Sequence, residues 1–300
     1  MKSRTNHITV CICTFKRPAV LLRSLGQLGK QATGGEFSYS IVVAENDAGE
    51  SAREAVTEFA ATAEVEVLYC VEPRQNIALV RNKALSHAEG DFVAFIDDDE
   101  VPGEDWLLQL FNACRRFGSD GILGPVNPYF DSAPPDWVKK GKFFDRPALP
   151  TGYKLSWPEC RTGNVLLRST VLDAAEEPFR AQFGTGGEDV DFFHRMTDRG
   201  FRFVWCSEAA VNELVPPFRC RRSFLIKRAL LRGSSFSRYP GNRAKNVAKS
   251  LAAVPLYTIA LPFLALAGQH LFLKYLFKLC DHTARLLSLS GVAVVRERET

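Results

Sequence analysis

Apolar residues along the first 115 positions fall alternately in short unbroken runs and at helical spacing. Positions 8–14 are apolar and β-branched, stop at Lys16-Arg17-Pro18, and predict a strand followed by a helix over 19–30. A second run at 39–44 ends in Glu45-Asn46-Asp47 and predicts another strand, then a helix over 51–63. Positions 65–71 form a third run, and 77, 80, 84, 85 and 88 are apolar at helical spacing. A fourth run, 92–96, stops at Asp97-Asp98-Asp99-Glu100. Strand and helix in alternation predict an α/β fold, a mostly parallel sheet with covering helices. Such sheets bind ligands beyond the carboxyl ends of their strands, where these polar clusters fall.

The pattern then changes. Positions 125–158 hold seven of the 16 prolines and seven aromatic residues. The stretch predicts a long irregular loop, a binding loop or a packed loop without a ligand. Positions 161–167 return to strand, 188–199 to helix after Gly184-Thr185-Gly186-Gly187, and 201–205 to strand. Residues 250–273 carry no charge, and as one helix would reach about 36 Å, enough for a bilayer core of about 30 Å. Pro255, Pro262, Gly268, Gln269 and His270 weigh against a plain span. An interfacial or re-entrant membrane helix, a true span and a buried soluble helix all remain open.

Composition adds little to the fold but much to the organisation. With 46% apolar and 24% charged residues the chain is globular, not disordered or collagen-like. Eight cysteines without a C-x-x-C pair argue against a disulfide scaffold or zinc ribbon and fit buried thiols in a reducing compartment. The start, Met1 to His7, is polar and the next apolar run is short, so no secretion signal is expected. Net charge is +4, yet positions 214–280 hold 12 basic residues, Arg238 among them, and no acid, leaving 26 basic against 34 acidic elsewhere. Two parts are expected: an acidic α/β region over 1–215 and a basic, apolar helical region over 216–300. A basic tail beside an apolar segment suits a membrane surface and anionic headgroups, not nucleic acid.

Three acidic clusters carry candidate chemistry. Asp97-Asp98-Asp99 places adjacent carboxylates that repel unless a cation compensates them, and hard oxygen ligands suit Mg²⁺ or Mn²⁺. In an extended segment Asp97 and Asp99 would share one side; the bland alternative is a solvated acidic turn. At the second cluster, Glu45 and Asp47 could bind ribose hydroxyls or a base edge, or cap a helix. At the third, Asp189 shares 3-4 spacing with Phe192, Phe193 and Met196 and should face inward. There it would serve as a general base or merely as an N-terminal helix acid.

The ordered wording Val10-Cys-Ile-Cys-Thr-Phe-Lys-Arg-Pro18, Val43-Ala-Glu-Asn-Asp47, Asn76-Ile-Ala-Leu-Val-Arg-Asn82, Gly90-Asp-Phe-Val-Ala-Phe-Ile-Asp-Asp-Asp-Glu100 and Gly187-Glu-Asp189 resembles family 2 glycosyltransferases of the GT-A fold over about residues 8–210. Within that family the acidic wording is most like bacterial exopolysaccharide glucosyltransferases of the succinoglycan type. The resemblance implies inverting transfer of a sugar from a nucleotide donor, UDP-glucose first among candidates, to a lipid-linked saccharide acceptor. It implies Asp189, or failing it Glu188, as base, and metal at Asp99 and Asp97. Donor contacts are implied for Thr14, Arg17, Glu45, Asp47, Arg81, Asp97 and Asp98; Arg81 could equally be a surface ion pair. Acceptor contacts are implied for Trp157, Gly163, Asn164 and Asp191. The Gln-x-x-Arg-Trp motif of processive members is missing, which implies one sugar per binding event. Arg221, Arg228 and Arg232, at spacings 7 and 4, would share a helical face and grip a diphosphate, or else form a basic surface helix. The enzyme is expected at the cytoplasmic face of the cell membrane. A nucleotidyltransferase, or a non-catalytic sugar-nucleotide or lipid binder of the same fold, are the alternatives.

Overall fold

The computed structural model describes residues 6–184, 186–234 and 243–290. Met1, Thr185 and Arg238, singled out above, lie outside them. The described chain divides into two compact units, one running through Asn127 and resuming over Arg146–Leu214, the other Pro128–Asp145 together with the residues from Val215 onward.

The first unit opens with β1 (Asn6–Thr14), α1 (Pro18–Leu28), β2 (Phe37–Glu45), α2 (Arg53–Thr62), β3 (Glu66–Val71), α3 (Ile77–Leu85) and β4 (Phe92–Asp97). Then follow β5 (Glu100–Pro102), α4 (Trp106–Phe117), β6 (Gly121–Leu123) and β7 (Val126–Tyr129). An eight-stranded sheet runs β3-β2-β1-β4-β9-β6-β10-β8, with β8 at Lys154–Leu155, β9 at Asn164–Arg168 and β10 at Phe203–Trp205. The first four strands are mutually parallel, and β9 is antiparallel to both β4 and β6. Helix α6 (Ser169–Asp173) follows β9, and a smaller sheet takes β5, β11 (Val211–Leu214) and β7.

The unbroken apolar runs reflect burial on both faces of this sheet. Ile8, Val10 and Ile12 of β1 join Ile41 and Val43 in one core with Leu21, Leu25 and Trp106. The intervening Cys11, Val42 and Ala44 join the other core with Ala78, Phe192 and Met196. In register, Thr14 lies opposite Glu45 and Cys13 opposite Asp97, so three strand ends present polar groups at one edge. The eight cysteines are all free and six are buried, in line with their expected thiol role.

Glu45 does not face a ligand. It is fully buried, and its carboxylate accepts bonds from Ser51 Oγ (2.6 Å), the Ala52 amide (3.0 Å) and the Tyr69 hydroxyl. The expected ribose contact is therefore corrected to an anchor at the entry to α2. Glu45→Ala should leave three donors without their acceptor and cost about 3 kcal/mol in chemical denaturation. Nucleotide affinity of the folded fraction should not change.

The stretch expected to be irregular holds β7, α5 (Asp136–Gly141), β8 and a 3-10 turn at Trp157–Glu159. Aromatic packing supplies the order that periodicity did not signal: Phe130 meets Phe144, and Trp137 meets Phe143, edge-on or tilted. In the second unit α8 (Arg222–Ser234) packs on α10 (Gln269–Leu289) through Leu225, Ala229, Leu273 and Phe277. Gly233 permits that approach, because a Cβ there would stand 2.2 Å from the Asp281 carbonyl oxygen. The uncharged C-terminal run is not one helix. It breaks at Gly268 (φ 143°), between α9 (Arg243–Ala267) and α10.

Candidate active site

The site grows from the ends of β1, β2 and β4, with contributions from α3, α7 (Glu188–Asp198) and the turn before β9. After Asp97 the chain turns instead of staying extended, and the aspartates divide between two arginines, Asp97 beside Arg81 and both Asp98 and Asp99 on Arg17. Asp98 is buried; it accepts from Thr14 Oγ1 (2.7 Å) and pairs with Arg17 (2.7 Å). Burial pushes its carboxyl up to about 7 against the opposing pull of Arg17 and Thr14. Asp99, 12% exposed at its side chain, pairs with the other Arg17 nitrogen at 3.2 Å. Thr14 and Arg17 thus hold the acidic turn itself. Asp97 is the open member, with a side chain 48% exposed and Arg81 at 3.5 Å.

Asp97 sits among acids. Loss of water around its carboxyl pushes its pKa up; Arg81 opposes this, while Asp99, Glu213 and Asp189 add to it. Beneath it, Glu100 is buried and raised well above the carboxylate range by that burial, and accepts the Asp97 amide (3.2 Å). Gly163 leaves the space beside them: a Cβ there would stand 2.7 Å from Glu100 Oε1 and 3.1 Å from Asp97 Oδ2. Among the described residues no three His, Cys, Asp or Glu side chains converge as a full metal cage. The donor set nevertheless fits Mg²⁺ or Mn²⁺, which bind through one or two carboxylates and complete their shell with water and phosphate. Asp97 and Asp99 would hold the ion.

Gly186 and Gly187 at φ 127° and 95° turn the chain into α7, whose first turn carries Glu188, Asp189 and Asp191. The helix phase differs from expectation. Glu188, on the Phe192–Met196 row, is the residue turned inward, and Asp189 is half-buried. One Glu188 oxygen pairs with Arg81, and the other is buried without a partner. Arg81 is therefore no surface ion pair: it is 9% exposed, lies over the Phe179 ring and bridges Asp97 to Glu188. Its guanidinium holds both carboxylates and so positions the acids. Among the described residues Asp189 accepts from its neighbour's amide, Val190 (2.7 Å), and its charge reaches Asp97.

Asp47, two residues beyond β2, is largely buried with Lys16 at 3.7 Å. Its neighbour Asn46 was missed by sequence reasoning. That side chain donates to the carbonyls of Glu72 (2.8 Å) and Arg74 (2.6 Å) and accepts the Asn76 amide (2.9 Å), knitting the β2 and β3 ends to α3. Asn76 in turn caps α3 and donates to Ala181, tying α3 to the glycine segment before α7.

Two expected acceptor contacts are corrected. Asn164 is buried and spent on Trp106 Nε1 (2.8 Å) and the carbonyls of Pro125 (3.0 Å) and Ala209 (2.8 Å). Asp191 is spent on Arg195 (2.7 Å) and Arg180 (3.4 Å). Trp157 remains partly exposed, edge-on to His194 at 4.7 Å. The arginine face is corrected too. Arg221 precedes α8 in extended conformation, and Arg232 pairs with Asp281 at 3.2 Å, so the three side chains do not form one free grip. Arg228 is exposed on α8.

Known proteins resemble this chain at each level. The model of "Glycosyl transferase family 2" matches residues 9–173. The succinoglycan biosynthesis protein ExoM of Rhizobium meliloti (strain 1021) is 35% identical over 248 residues, 81% of this chain and 78% of ExoM. Glycosyltransferase AglE of Haloferax volcanii is 21% identical over 73% of this chain and 70% of its own. The crystal structure of S. aureus TarS 1-349 in complex with UDP shares the fold at a TM-score of 0.53 and 15% identity, covering 97% of this chain and 95% of that one. The mixed sheet, the acidic strand ends and these likenesses lead to one conclusion: the chain belongs to glycosyl transferase family 2 and is a glycosyltransferase.

Proposed function

We propose that the protein performs inverting, metal-dependent, non-processive transfer of a hexose, glucose from UDP-glucose, to a lipid-linked saccharide at the cytoplasmic membrane face. The product would be an exopolysaccharide precursor. The observation that carries this is the convergence of Asp99 and Asp189 charge on the open Asp97, with Arg81 joining Asp97 to the start of α7. A phosphate-side acid and an acceptor-side acid belong to one site. Bound at Asp97 and Asp99, Mg²⁺ or Mn²⁺ would neutralise charge on the departing diphosphate. Asp189 takes the proton of the acceptor hydroxyl, which then displaces the diphosphate in one step without a covalent intermediate. Asp47 holds the nucleoside. Likeness in fold to TarS, solved with UDP, supports the uridine donor, and likeness to ExoM supports the exopolysaccharide acceptor. The apolar α9, long and apolar enough to cross a membrane over Ala244–Ala267, supports the membrane location.

The test is a panel of radiolabelled sugar nucleotides offered to native membranes with divalent cation. Label from UDP-glucose should enter a lipid-extractable product. Incorporation only from another sugar nucleotide would overturn the donor, and transfer of labelled nucleotide instead of sugar would overturn the reaction.

A further inference from the structure

We propose that α9 lies in the plane of an anionic membrane surface, its outward face in the acyl region of one leaflet, and does not cross the bilayer. This rests on the membrane location given above and fixes its geometry. Leu251, Leu256, Ile259, Phe263 and Leu266 are 60%, 63%, 68%, 70% and 89% exposed. At 100° per residue they fall on one side of the helix. Lys245 and Lys249, both exposed, continue the same side at its N-terminal end.

The other side of α9 is occupied along its length by α10. Ser250 Oγ lies 2.9 Å from His282 Nδ1, and Tyr257 packs edge-on against Tyr275 at 5.3 Å. These pairs set the two helices antiparallel in register. Alongside α9, α10 therefore carries the exposed Lys274 and Lys278 and the Asp281 carboxylate with its partners Arg232 and Arg285. Its next face is covered by α8. A crossing α9 would either part from α10 or take these charges into hydrocarbon, which opposes them. Lying flat, it does neither, and only its unpartnered apolar side enters lipid.

Charge selects the occupant. No Asp or Glu occurs between Leu214 and Cys280, so α9 itself carries basic residues and no acid. Anionic headgroups complement that charge. A second copy docking through the same α9 face would bring the same lysines and no acid on that face to meet them.

The experiment uses the full-length protein with phosphatidylglycerol or phosphatidylcholine vesicles. Flotation should show binding to the anionic vesicles, weakened by salt. Lys245→Glu with Lys249→Glu should weaken it about 25-fold or more, at about fivefold per basic residue near the surface. Ile259→Glu with Phe263→Glu should abolish it while UDP binding and thermal unfolding stay at parental values, since both side chains are exposed. Leu251→Trp, Ile259→Trp and Leu266→Trp, made singly and read against the parent, should be quenched alike by lipids brominated at a given depth. A profile deep at Ile259 and shallow at both ends would mean a span and overturn the proposal. Equal binding to both vesicle types, or no vesicle binding with an oligomer that the glutamate pair dissociates, would overturn it as well. Glucosyl transfer is assayed on the same preparations. Equal quenching without transfer would sink the proposed reaction alone, and transfer by protein that stays off vesicles would sink this proposal and the membrane location it rests on while leaving the reaction standing.

Discussion

Asp189→Asn is expected to lower transfer by about 10²–10⁴-fold, the range that general-base catalysis contributes. The asparagine keeps the side-chain shape and can still accept the Val190 amide through its carbonyl oxygen, so α7 should start as before. It cannot take the acceptor proton. Glu188→Gln separates the two neighbours by a different readout. Glu188 is 4% exposed and holds the buried Arg81, so its loss leaves a guanidinium with Asp97 alone, at 3.5 Å. Breaking such a buried pair costs about 3–5 kcal/mol. Glu188→Gln should therefore lower the denaturation midpoint, and Asp189→Asn should lower kcat with the midpoint unchanged. A fully active Asp189→Asn protein would remove Asp189 from the mechanism.

Why Asp189 and Glu188 can be told apart only in three dimensions is instructive. Both sit at i−4 from an apolar residue, Phe192 for one and Phe193 for the other, so helical periodicity admits either as the inward position. Arg81 decides it from α3, distant in the chain and invisible to local pattern. The same limit explains Glu45 and Asn164. A carboxylate or amide at a strand end reads as a ligand group, yet each is consumed by nearby donors or carbonyls that the fold supplies. By contrast β1 to β4 were legible because a strand buried on both faces writes itself as an unbroken apolar run. The strands β5, β6 and β11 are three or four residues long, too short for any period to emerge, whereas β10, equally short, was legible as the apolar end of the run at 201–205. Asp97 and Asp99 are not related by strand alternation, because the chain turns after Asp97; the turn still leaves the Asp99 charge acting on Asp97.

Removal of divalent cation is expected to abolish transfer, with Mg²⁺ or Mn²⁺ restoring it, and the three aspartates should answer differently to substitution. Asp97→Asn takes away the one carboxylate of the turn that is half open, and Asp99→Asn takes away the second oxygen donor. Each should cost about 10²–10³-fold in kcat, as loss of one electrostatic stabiliser of a developing anion does elsewhere. Asp98→Asn should behave unlike both. Its carboxyl, pushed up to about 7 by burial, already faces Thr14 and Arg17. An amide there keeps an acceptor for Thr14 and gives up the ion pair with Arg17, so stability falls by about 1–3 kcal/mol while turnover of the folded enzyme changes little. UDP binding by calorimetry supplies a readout independent of turnover. In the parent, added cation should tighten UDP; in Asp97→Asn and Asp99→Asn that gain should shrink or vanish; in Asp98→Asn it should persist. Cation-independent UDP binding and undiminished transfer in excess chelator would show that the acid cluster does not serve a metal. Arg17 and Arg81 would then be left as the cations facing the diphosphate, and Arg17→Met, which should otherwise loosen only the Asp98–Asp99 turn, would become the variant that abolishes donor binding.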